Sequence, residues 1–302
     1  MKHYVEYLVT DNDDGTDVLS ILKGQFHFSS KKIKSVKFAE DGILLDGIRV
    51  TVREKVGTGQ HLEILMDDSD KKQNKIYPVQ MSLDIVFEDE YFIVVNKPAG
   101  VVCHPSKGHY FDSLANGVRW YLDGKEEFSG THLCGRLDKD TSGLVLFAKG
   151  GAAELEIKRL KGKGKFTKVY TAIAEGIFED KQGKINIPME ENRDGQGMLK
   201  MCRAAEETDK TKAITHYEVI GEGKDYSLLK VLIETGRTHQ IRFHMSAVGH
   251  PLLGDPVYGD GRETDIKRTA LHAGHIKFIH PYENTEINLT ACLPEDMQDY
   301  LI

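Results

Sequence analysis

A nine-residue segment without a single apolar side chain divides this chain. From 67 to 75 it reads Asp-Asp-Ser-Asp-Lys-Lys-Gln-Asn-Lys. A segment with nothing to bury is typical of a linker between folded parts. With 302 residues, the chain is also long enough for roughly two domains. We therefore predict an N-terminal domain over 1–66, a linker over 67–82 and a second domain over 83–302.

The composition is that of an ordinary globular protein, with 40% hydrophobic and 29% charged residues. The longest apolar runs, such as 92–95 and 144–147, are far shorter than the roughly 20 residues that span a bilayer. The first residues lack the pattern of a secretory signal. The four cysteines form no C-x-x-C pair, so neither a disulfide framework nor a zinc ribbon is indicated. We predict a cytoplasmic protein with reduced thiols and no membrane partner.

Charge is distributed unevenly along the chain. The 40 basic and 47 acidic residues give 40 − 47 = −7, which argues weakly against a polyanionic partner. Locally, however, 158–168 holds six basic residues and no acidic one, and four lysines lie within 31–37. Such runs either form solvated surfaces or steer a polyanion, because the arrangement of charge matters more than its sum.

The N-terminal domain has a recognisable order of elements. Helical spacing after Asp17 and again after Ser30 predicts two short helices. Asp46-Gly47, between Ile43-Leu44-Leu45 and Ile48-Arg49-Val50, predicts a two-residue hairpin turn. A further strand is expected near 61–65. Over about 13–66 this order resembles the alpha-L RNA-binding module. The resemblance implies that the second helix contacts RNA through Lys31, Lys32 and Lys34.

The C-terminal domain alternates strand-rich segments with a few helices. Strands are predicted near 83–87, 92–95, 144–148, 169–174 and 228–233, and helices near 112–122, 152–160 and 240–248. This pattern indicates a mixed domain dominated by a sheet. The segment 185–205, in which Arg193, Lys200 and Arg203 are interleaved with Gly195 and Gly197, is either a mobile loop that touches substrate or a plain surface hairpin.

The most informative segment is 135–148, Gly-Arg-Leu-Asp-Lys-Asp-Thr-Ser-Gly-Leu-Val-Leu-Phe-Ala. It is a polar turn that carries Asp138 and leads into a buried strand. An aspartate is ionised at neutral pH without special tuning, so a carboxylate held here can serve as a nucleophile. On local sequence alone, a surface loop with an Asp138–Arg136 ion pair is the favoured interpretation.

This segment resembles the H-R-L-D-x-x-T-S-G-L signature of the RluA type of RNA pseudouridine synthase. Further segments match that family in order, and they span nearly all of the C-terminal half: Asn96-Lys97-Pro98-Ala99-Gly100, Lys168-Val169-Tyr170-Thr171-Ala172, Gly236-Arg237-Thr238-His239-Gln240-Ile241-Arg242-Phe243-His244 and Gly254-Asp255-Pro256-Val257-Tyr258-Gly259. One position departs from the pattern, because Gly135 stands where the RluA type usually has His.

The resemblance implies an α+β fold whose catalytic domain is a mixed, mainly antiparallel sheet. It also implies an isomerase that breaks the bond between ribose C1′ and uracil N1 and joins C1′ to uracil C5. Nothing is oxidised or added, so no cofactor and no metal are expected. By resemblance Asp138 is the attacking carboxylate, Tyr170 stacks on the base and assists proton removal from C5, and Arg242 pairs with Asp138.

RNA is the partner that the resemblance implies, with ribosomal RNA favoured over transfer RNA, and no protein partner is evident. The target uridine has to leave its stack to reach the carboxylate. The side chains expected to contact RNA are basic: Lys31, Lys32, Lys97, Arg136, Lys161, Lys163, Lys168 and Arg237.

Three other functions were weighed. A metal site among the C-terminal histidines is disfavoured, because His239 and His244 are five residues apart and have no acidic partner in register. A glycosidase could use Asp138 and Asp140, although such enzymes need two carboxyl groups on opposite sides of the bond. A non-catalytic RNA-binding protein would be expected to have lost Asp138, Tyr170 or Arg242, and all three are present.

Overall fold

A computed structural model describes residues 3–26, 28, 30–66, 76–106, 108–125, 130–193, 199–259, 261 and 264–301. The chain forms two compact units, one made of 1–83 and 104–131, the other of 84–103 and 132–302. Segment 67–75 of the predicted linker lies outside the described residues. In the part that is described, no helix is both long and apolar enough to cross a bilayer.

The first unit contains the predicted order of helix, helix, hairpin and strand. Its elements are a short 3-10 turn (Asp11–Asp13), β1 (His3–Leu8), α1 (Val18–Gly24), α2 (Ser30–Phe38), β2 (Ile43–Leu45), β3 (Ile48–Arg49), β4 (His61–Met66) and α3 (Leu114–Asp123). Asp17 caps α1 by accepting from the Ser20 N–H at 2.8 Å. Asp46 and Gly47 have positive φ angles of 51° and 77°, as the hairpin turn requires.

The sheet of the first unit has the order β1-β4-β2-β3. Strand β1 was not predicted, because its antiparallel pairing with β4 joins residues almost sixty positions apart. The segment 104–131, which the sequence-based division assigns to the second domain, packs here instead. Phe111 lies with its ring centroid 4.8 Å from that of Phe26, and the Asn116 side chain donates to the Tyr77 carbonyl at 2.7 Å.

The second unit is built on a sheet that confirms the predicted α+β class. Its elements are β5 (Ile85–Glu88), β6 (Phe92–Lys97), β7 (His132–Leu133), β8 (Ser142–Ala148), α4 (Gly151–Gly162), β9 (Phe166–Glu175), β10 (Gln182–Asn186), β11 (Met189–Arg193), β12 (Leu199–Arg203), β13 (Ile214–Glu222), β14 (Tyr226–Ile233), α5 (Gln240–Ala247), β15 (Leu271–Ile279), β16 (Glu286–Thr290) and α6 (Glu295–Gln298). Among the described residues, ten strands form one sheet in which only β8 and β15 pair in parallel.

The order of the central sheet is β10-β13-β14-β9-β15-β8-β6-β5, with β16 paired to β15 and β7 to β8. All seven residues of β8 are buried, because the strand lies between neighbours on both sides. Strands β11 and β12 form a separate two-stranded hairpin, which is one of the two structures predicted for segment 185–205. Residues 194–198 within it lie outside the described part. The sheet thus presents β8, β9 and β15 side by side.

Candidate active site

Asp138 lies in the turn between β7 and β8, directly before the most buried strand. Its carbonyl accepts from the Thr141 N–H at 3.2 Å, which closes the turn. The side chain is 22% exposed. The carboxylate is therefore held in a closed turn yet accessible from solvent, as a reactive group has to be.

Lys97, at the end of β6, forms a hydrogen bond to the backbone of this turn. The residue is fully buried, and its ammonium donates to the carbonyls of Pro98, Val101 and Lys139 at 2.8, 2.7 and 2.9 Å. Burial lowers the pKa of Lys97 to about 8. An ammonium has three N–H bonds, and each has a carbonyl acceptor here. The expected phosphate contact of Lys97 therefore does not fit the structure, which gives this side chain a positioning role.

Arg242 on α5 brings a buried positive charge towards Asp138. Its Nη1 lies 3.6 Å from Asp138 Oδ2, within ion-pair range but beyond hydrogen-bond length. Its Nε and Nη2 donate to the two oxygens of Asp255, at 2.7 and 2.8 Å. Burial alone would raise the pKa of Asp255, but the hydrogen bonds and charge of Arg242 lower it overall. The structure thus brings the predicted Asp138–Arg242 pair together and adds a second carboxylate.

Tyr170 lies on β9, where it pairs in register with Val231 of β14. Only 6% of the residue is exposed, and it lines the same cavity as Asp138. Burial, followed by the negative charge of Asp138, raises the pKa of Tyr170 well above its ordinary value of 10. A general base needs a pKa near the working pH. The raised pKa favours the protonated phenol, so the site supports stacking more directly than proton removal, and both roles of Tyr170 stay predictions.

His239 faces Asp138 as well, and the sequence analysis gave it no role. Its Nε2 lies 4.0 Å from Asp138 Oδ2, and its Nδ1 lies 3.3 Å from the Tyr258 hydroxyl. That hydroxyl already accepts from the Met201 N–H, so it is available to donate to Nδ1. The proton of a neutral imidazole then sits on Nε2, facing the carboxylate. The motif containing His239 was noticed, but the contact depends on a φ of 53° that no pattern indicates.

The cavity between these groups has a volume of about 300 Å³. This size is at the lower end for ligand pockets and suits one planar ring. At its rim the Arg136 guanidinium donates to the Thr238 hydroxyl at 2.6 Å and remains exposed. Arg237, also at the rim, donates to the carbonyls of Lys212 and Asp209. Arg136 is thus free to make further contacts, whereas much of Arg237 is engaged in holding a loop.

The basic run 158–168 does not form one continuous surface. Lys158 and Arg159 pair with glutamates of α4, Glu154 and Glu156, at 2.6 and 2.5 Å. Lys163 is exposed at the end of the helix, and Lys165, two positions on, is exposed as well. Lys161 and Lys168 line the cavity, so four of the six basic residues of the run are either paired with glutamates or part of the cavity wall.

Gly135 explains where Lys161 lies. Its φ is +120°, and a Cβ built there would lie 2.8 Å from the Lys161 Nζ. That ammonium donates to the Cys134 carbonyl at 2.5 Å and lies 4.7 Å from the centre of the Phe166 ring. Lys161 thus takes up the space next to the position where the resembled family usually has His.

Lys168 places a second ammonium in the cavity wall, 5.7 Å from the centre of the Tyr170 ring. Desolvation, with repulsion from Lys161 added, lowers the pKa of Lys168 to about 7. A free lysine has a pKa near 10.4. The folded protein therefore carries the protonated form of Lys168 at a cost whenever the pH is below about 7.

Replacing Lys168 by Met is expected to stabilise the fold. Between pH 7 and about 10.4 the unfolded chain binds a proton at this position that the native state has lost, so native stability rises with pH. Below pH 7 both states are protonated and the burial cost is complete. At pH 6 the free energy of unfolding of the variant should exceed that of the parent by about 1 to 3 kcal/mol. This range allows for the partial exposure of Lys168, which reduces the effect. Urea unfolding at pH 6 and pH 10 measures the difference, which should shrink at the higher pH.

The matched control is Lys224→Met, because Lys224 is exposed in the turn between β13 and β14. It should change stability little at either pH. An equal effect of the two substitutions would contradict the burial of the Lys168 ammonium.

Comparison with known proteins shows which family this chain is similar to. The sequence model of the RNA pseudouridylate synthase family matches residues 91–247, about half of the chain. The ribosomal large subunit pseudouridine synthase D of Zymomonas mobilis is 39% identical over 233 residues, which are 73% of this chain and 72% of the relative. The uncharacterized RNA pseudouridine synthase YlyB of Bacillus subtilis is 34% identical and covers 88% of this chain and 86% of its own.

A solved structure agrees with these sequence matches. The human RNA pseudouridylate synthase domain containing 1 superposes with a TM-score of 0.56 at 28% identity. The match covers 73% of this chain and 86% of the human chain. Sequence and fold thus point to the same family.

Proposed function

Because the chain belongs to the RNA pseudouridylate synthase family and is an RNA pseudouridine synthase, we propose that its substrate is ribosomal RNA of the large subunit. Support comes from relatives named for that subunit, which this chain matches over 72% and 86% of their lengths in Zymomonas mobilis and Haemophilus influenzae. A ribosomal substrate also fits the cytoplasmic location that the sequence predicts. The observation that carries the reaction is the partly exposed Asp138 carboxylate beside the buried Arg242 guanidinium.

Asp138 is the group that we propose acts on the nucleotide. The reaction breaks the C1′–N1 bond, turns the uracil and forms a C1′–C5 bond, while C5 loses a proton and N1 gains one. A carboxylate held beside a guanidinium can attack C1′ or remove the C2′ proton. The structure is compatible with either route, because both need the same carboxylate at the sugar.

Tyr170 supports the base rather than the proton transfers in this proposal. Its protonated phenol ring forms a buried apolar wall of the cavity, and such a surface stacks well on a pyrimidine. A cavity of about 300 Å³ accepts one base, so the uridine has to leave its stack before reaction. His239 and Lys168 also line the cavity, and we propose that they contact the polar edge of the base.

The RNA path outside the cavity follows the exposed cations. Arg136, Lys163 and Lys165 are exposed in the second unit. In the first unit, the alpha-L-like module is proposed to contact RNA through α2, where Lys34 is exposed. The side chains of Lys31 and Lys32 lie outside the described part of the chain. The domain division at 1–66, 67–82 and 83–302 stays a prediction.

The proposal is tested with purified protein and two transcripts, one of large-subunit ribosomal RNA and one mixture of transfer RNAs. Chemical mapping of pseudouridine should show modification at one or a few positions of the ribosomal transcript and none in transfer RNA. Modification confined to transfer RNA would contradict the proposed substrate, although the family assignment would stand.

Replacing both Lys163 and Lys165 by Gln should weaken RNA binding and reduce its salt dependence. Each phosphate contact contributes roughly 0.7 to 0.9 to the slope of log affinity against log salt concentration. The double variant should therefore lower that slope by about 1 to 2 units. Filter binding at several salt concentrations measures it. Lys224→Gln with Lys230→Gln, two exposed lysines of another sheet region, is the control and should leave the slope unchanged.

A further inference from the structure

We propose that Asp255 is a positioning residue of the isomerisation, acting through Arg242 to hold the guanidinium at a fixed distance from Asp138. This inference rests on the proposed role of Asp138. Asp255 lies within a segment that matches the family, but neither the sequence pattern nor the resemblance assigns it a role.

The Asp255 carboxylate is buried and held by hydrogen bonds. Its side chain is 0% exposed. It accepts four N–H groups, two from Arg242 and two from the backbone of Val257 and Tyr258, at 2.9 and 3.1 Å. No direction is left in which the carboxylate can turn without losing a bond.

The turn that carries Asp255 is itself held. Gly254 precedes it with a φ of +66°, and a Cβ there would lie 2.3 Å from the Arg268 carbonyl oxygen. The Gly259 N–H donates to the Asp255 carbonyl at 3.0 Å and closes the turn from the other side. Asp255 is thus attached to backbone that has little freedom to move.

The two bonds from Arg242 determine where its remaining nitrogen points. A bidentate pair aligns the guanidinium plane with the carboxylate plane. Because Nε and Nη2 are engaged by Asp255, Nη1 is left facing Asp138 Oδ2 at 3.6 Å. Without Asp255, the guanidinium is free to form the shorter bidentate pair with Asp138 instead, which would occupy the oxygens that have to react.

A contribution to the stability of the fold is a weak explanation for a buried ion pair such as Arg242–Asp255. Replacing a buried ion pair by apolar residues of similar volume is often neutral or stabilising. The Arg242–Asp255 pair is more than nine-tenths buried on both sides and borders the cavity. An apolar replacement of the pair could not place a guanidinium nitrogen towards Asp138.

The test uses the full-length protein and a large-subunit ribosomal transcript labelled with tritium at uridine C5, which releases tritium to water as C5 loses its hydrogen. For Asp255→Asn we expect kcat to fall about 100-fold, as a misplacement of roughly 1 Å in an active site does, with KM within twofold. Glu218→Gln is the control, since Glu218 pairs with Lys230 on the exposed sheet surface, and its kcat should equal that of the parent. A normal kcat for Asp255→Asn, or a loss confined to KM, would overturn the inference.

A double-variant comparison separates positioning from general structural support. If Asp255 acts through Arg242, the variants Arg242→Gln and Arg242→Gln/Asp255→Asn should have the same kcat. Both buried charges are removed in the second, so it remains informative even where Asp255→Asn alone, with an unpaired buried guanidinium, does not fold. A lower kcat in the double variant would contradict the inference. Absence of tritium release from the parent protein would instead contradict the proposed substrate.

Discussion

Replacing Asp138 by Asn is expected to abolish the conversion of uridine to pseudouridine, lowering kcat by about 10⁴-fold or more. The amide has the size of the carboxylate but no negative charge, so it can neither attack C1′ nor accept a proton from the sugar. The residue is 22% exposed and lies in a turn held by other groups, so folding should be unaffected. RNA affinity should remain within about twofold, because the binding cations lie elsewhere. Tritium release and filter binding measure the two effects.

Asp140→Asn is the matched control, since it makes the same substitution two residues downstream in the same turn. Asp140 does not line the cavity, and its carbonyl accepts from Arg268 at 3.2 Å. Its activity should be close to that of the parent. Loss of activity in both variants would favour a mechanism with two carboxyl groups, the glycosidase alternative, and would contradict the single nucleophile.

Replacing Gly143 by Ala is expected to destabilise the catalytic unit by about 3 kcal/mol or more. Gly143 lies in β8 with a φ of +114°, and its partner in the parallel pairing is Ala273 of β15. A Cβ there would lie 2.4 to 2.7 Å from three backbone atoms of Ala273. Backbone in a central sheet cannot move away without breaking the only parallel pairing among the described strands. Urea unfolding of the variant measures the loss.

Gly100→Ala separates the backbone strain from the clash. Gly100 also has a positive φ, 84°, but no atom lies within 4 Å of its added Cβ. Strain alone should cost about 1 kcal/mol. Equal destabilisation by the two substitutions would show that the β8–β15 contact is looser than the structure indicates.

Local patterns predicted the elements that carry the chemistry. The turn 135–141 followed by an apolar run predicted β8 and the position of Asp138 at its start. Helical spacing predicted α5, and with it the position of Arg242. Asp46-Gly47 predicted the hairpin turn, since few residues accept positive φ. Each of these depends on neighbours within a few positions, which is the range over which spacing and turn chemistry act.

Contacts between distant residues could not be predicted in this way. Lys97 was expected to contact phosphate, whereas three carbonyls accept from its ammonium, and one of them belongs to Lys139, 42 positions away. Likewise, the basic run looked continuous, because the sequence does not show that Lys161 turns to the carbonyl of Cys134. The role of Asp255 depends on a turn that comes back to α5. Such contacts depend on tertiary packing, which local sequence patterns do not specify.

The most direct test of the account is a pseudouridine map of total RNA from cells that lack this protein, complemented with either the native chain or Asp138→Asn. The account predicts that one or a few positions of large-subunit ribosomal RNA lose pseudouridine, and that only the native chain restores them. Restoration by the Asp138→Asn variant would contradict the central claim, because the modification would then not depend on this carboxylate.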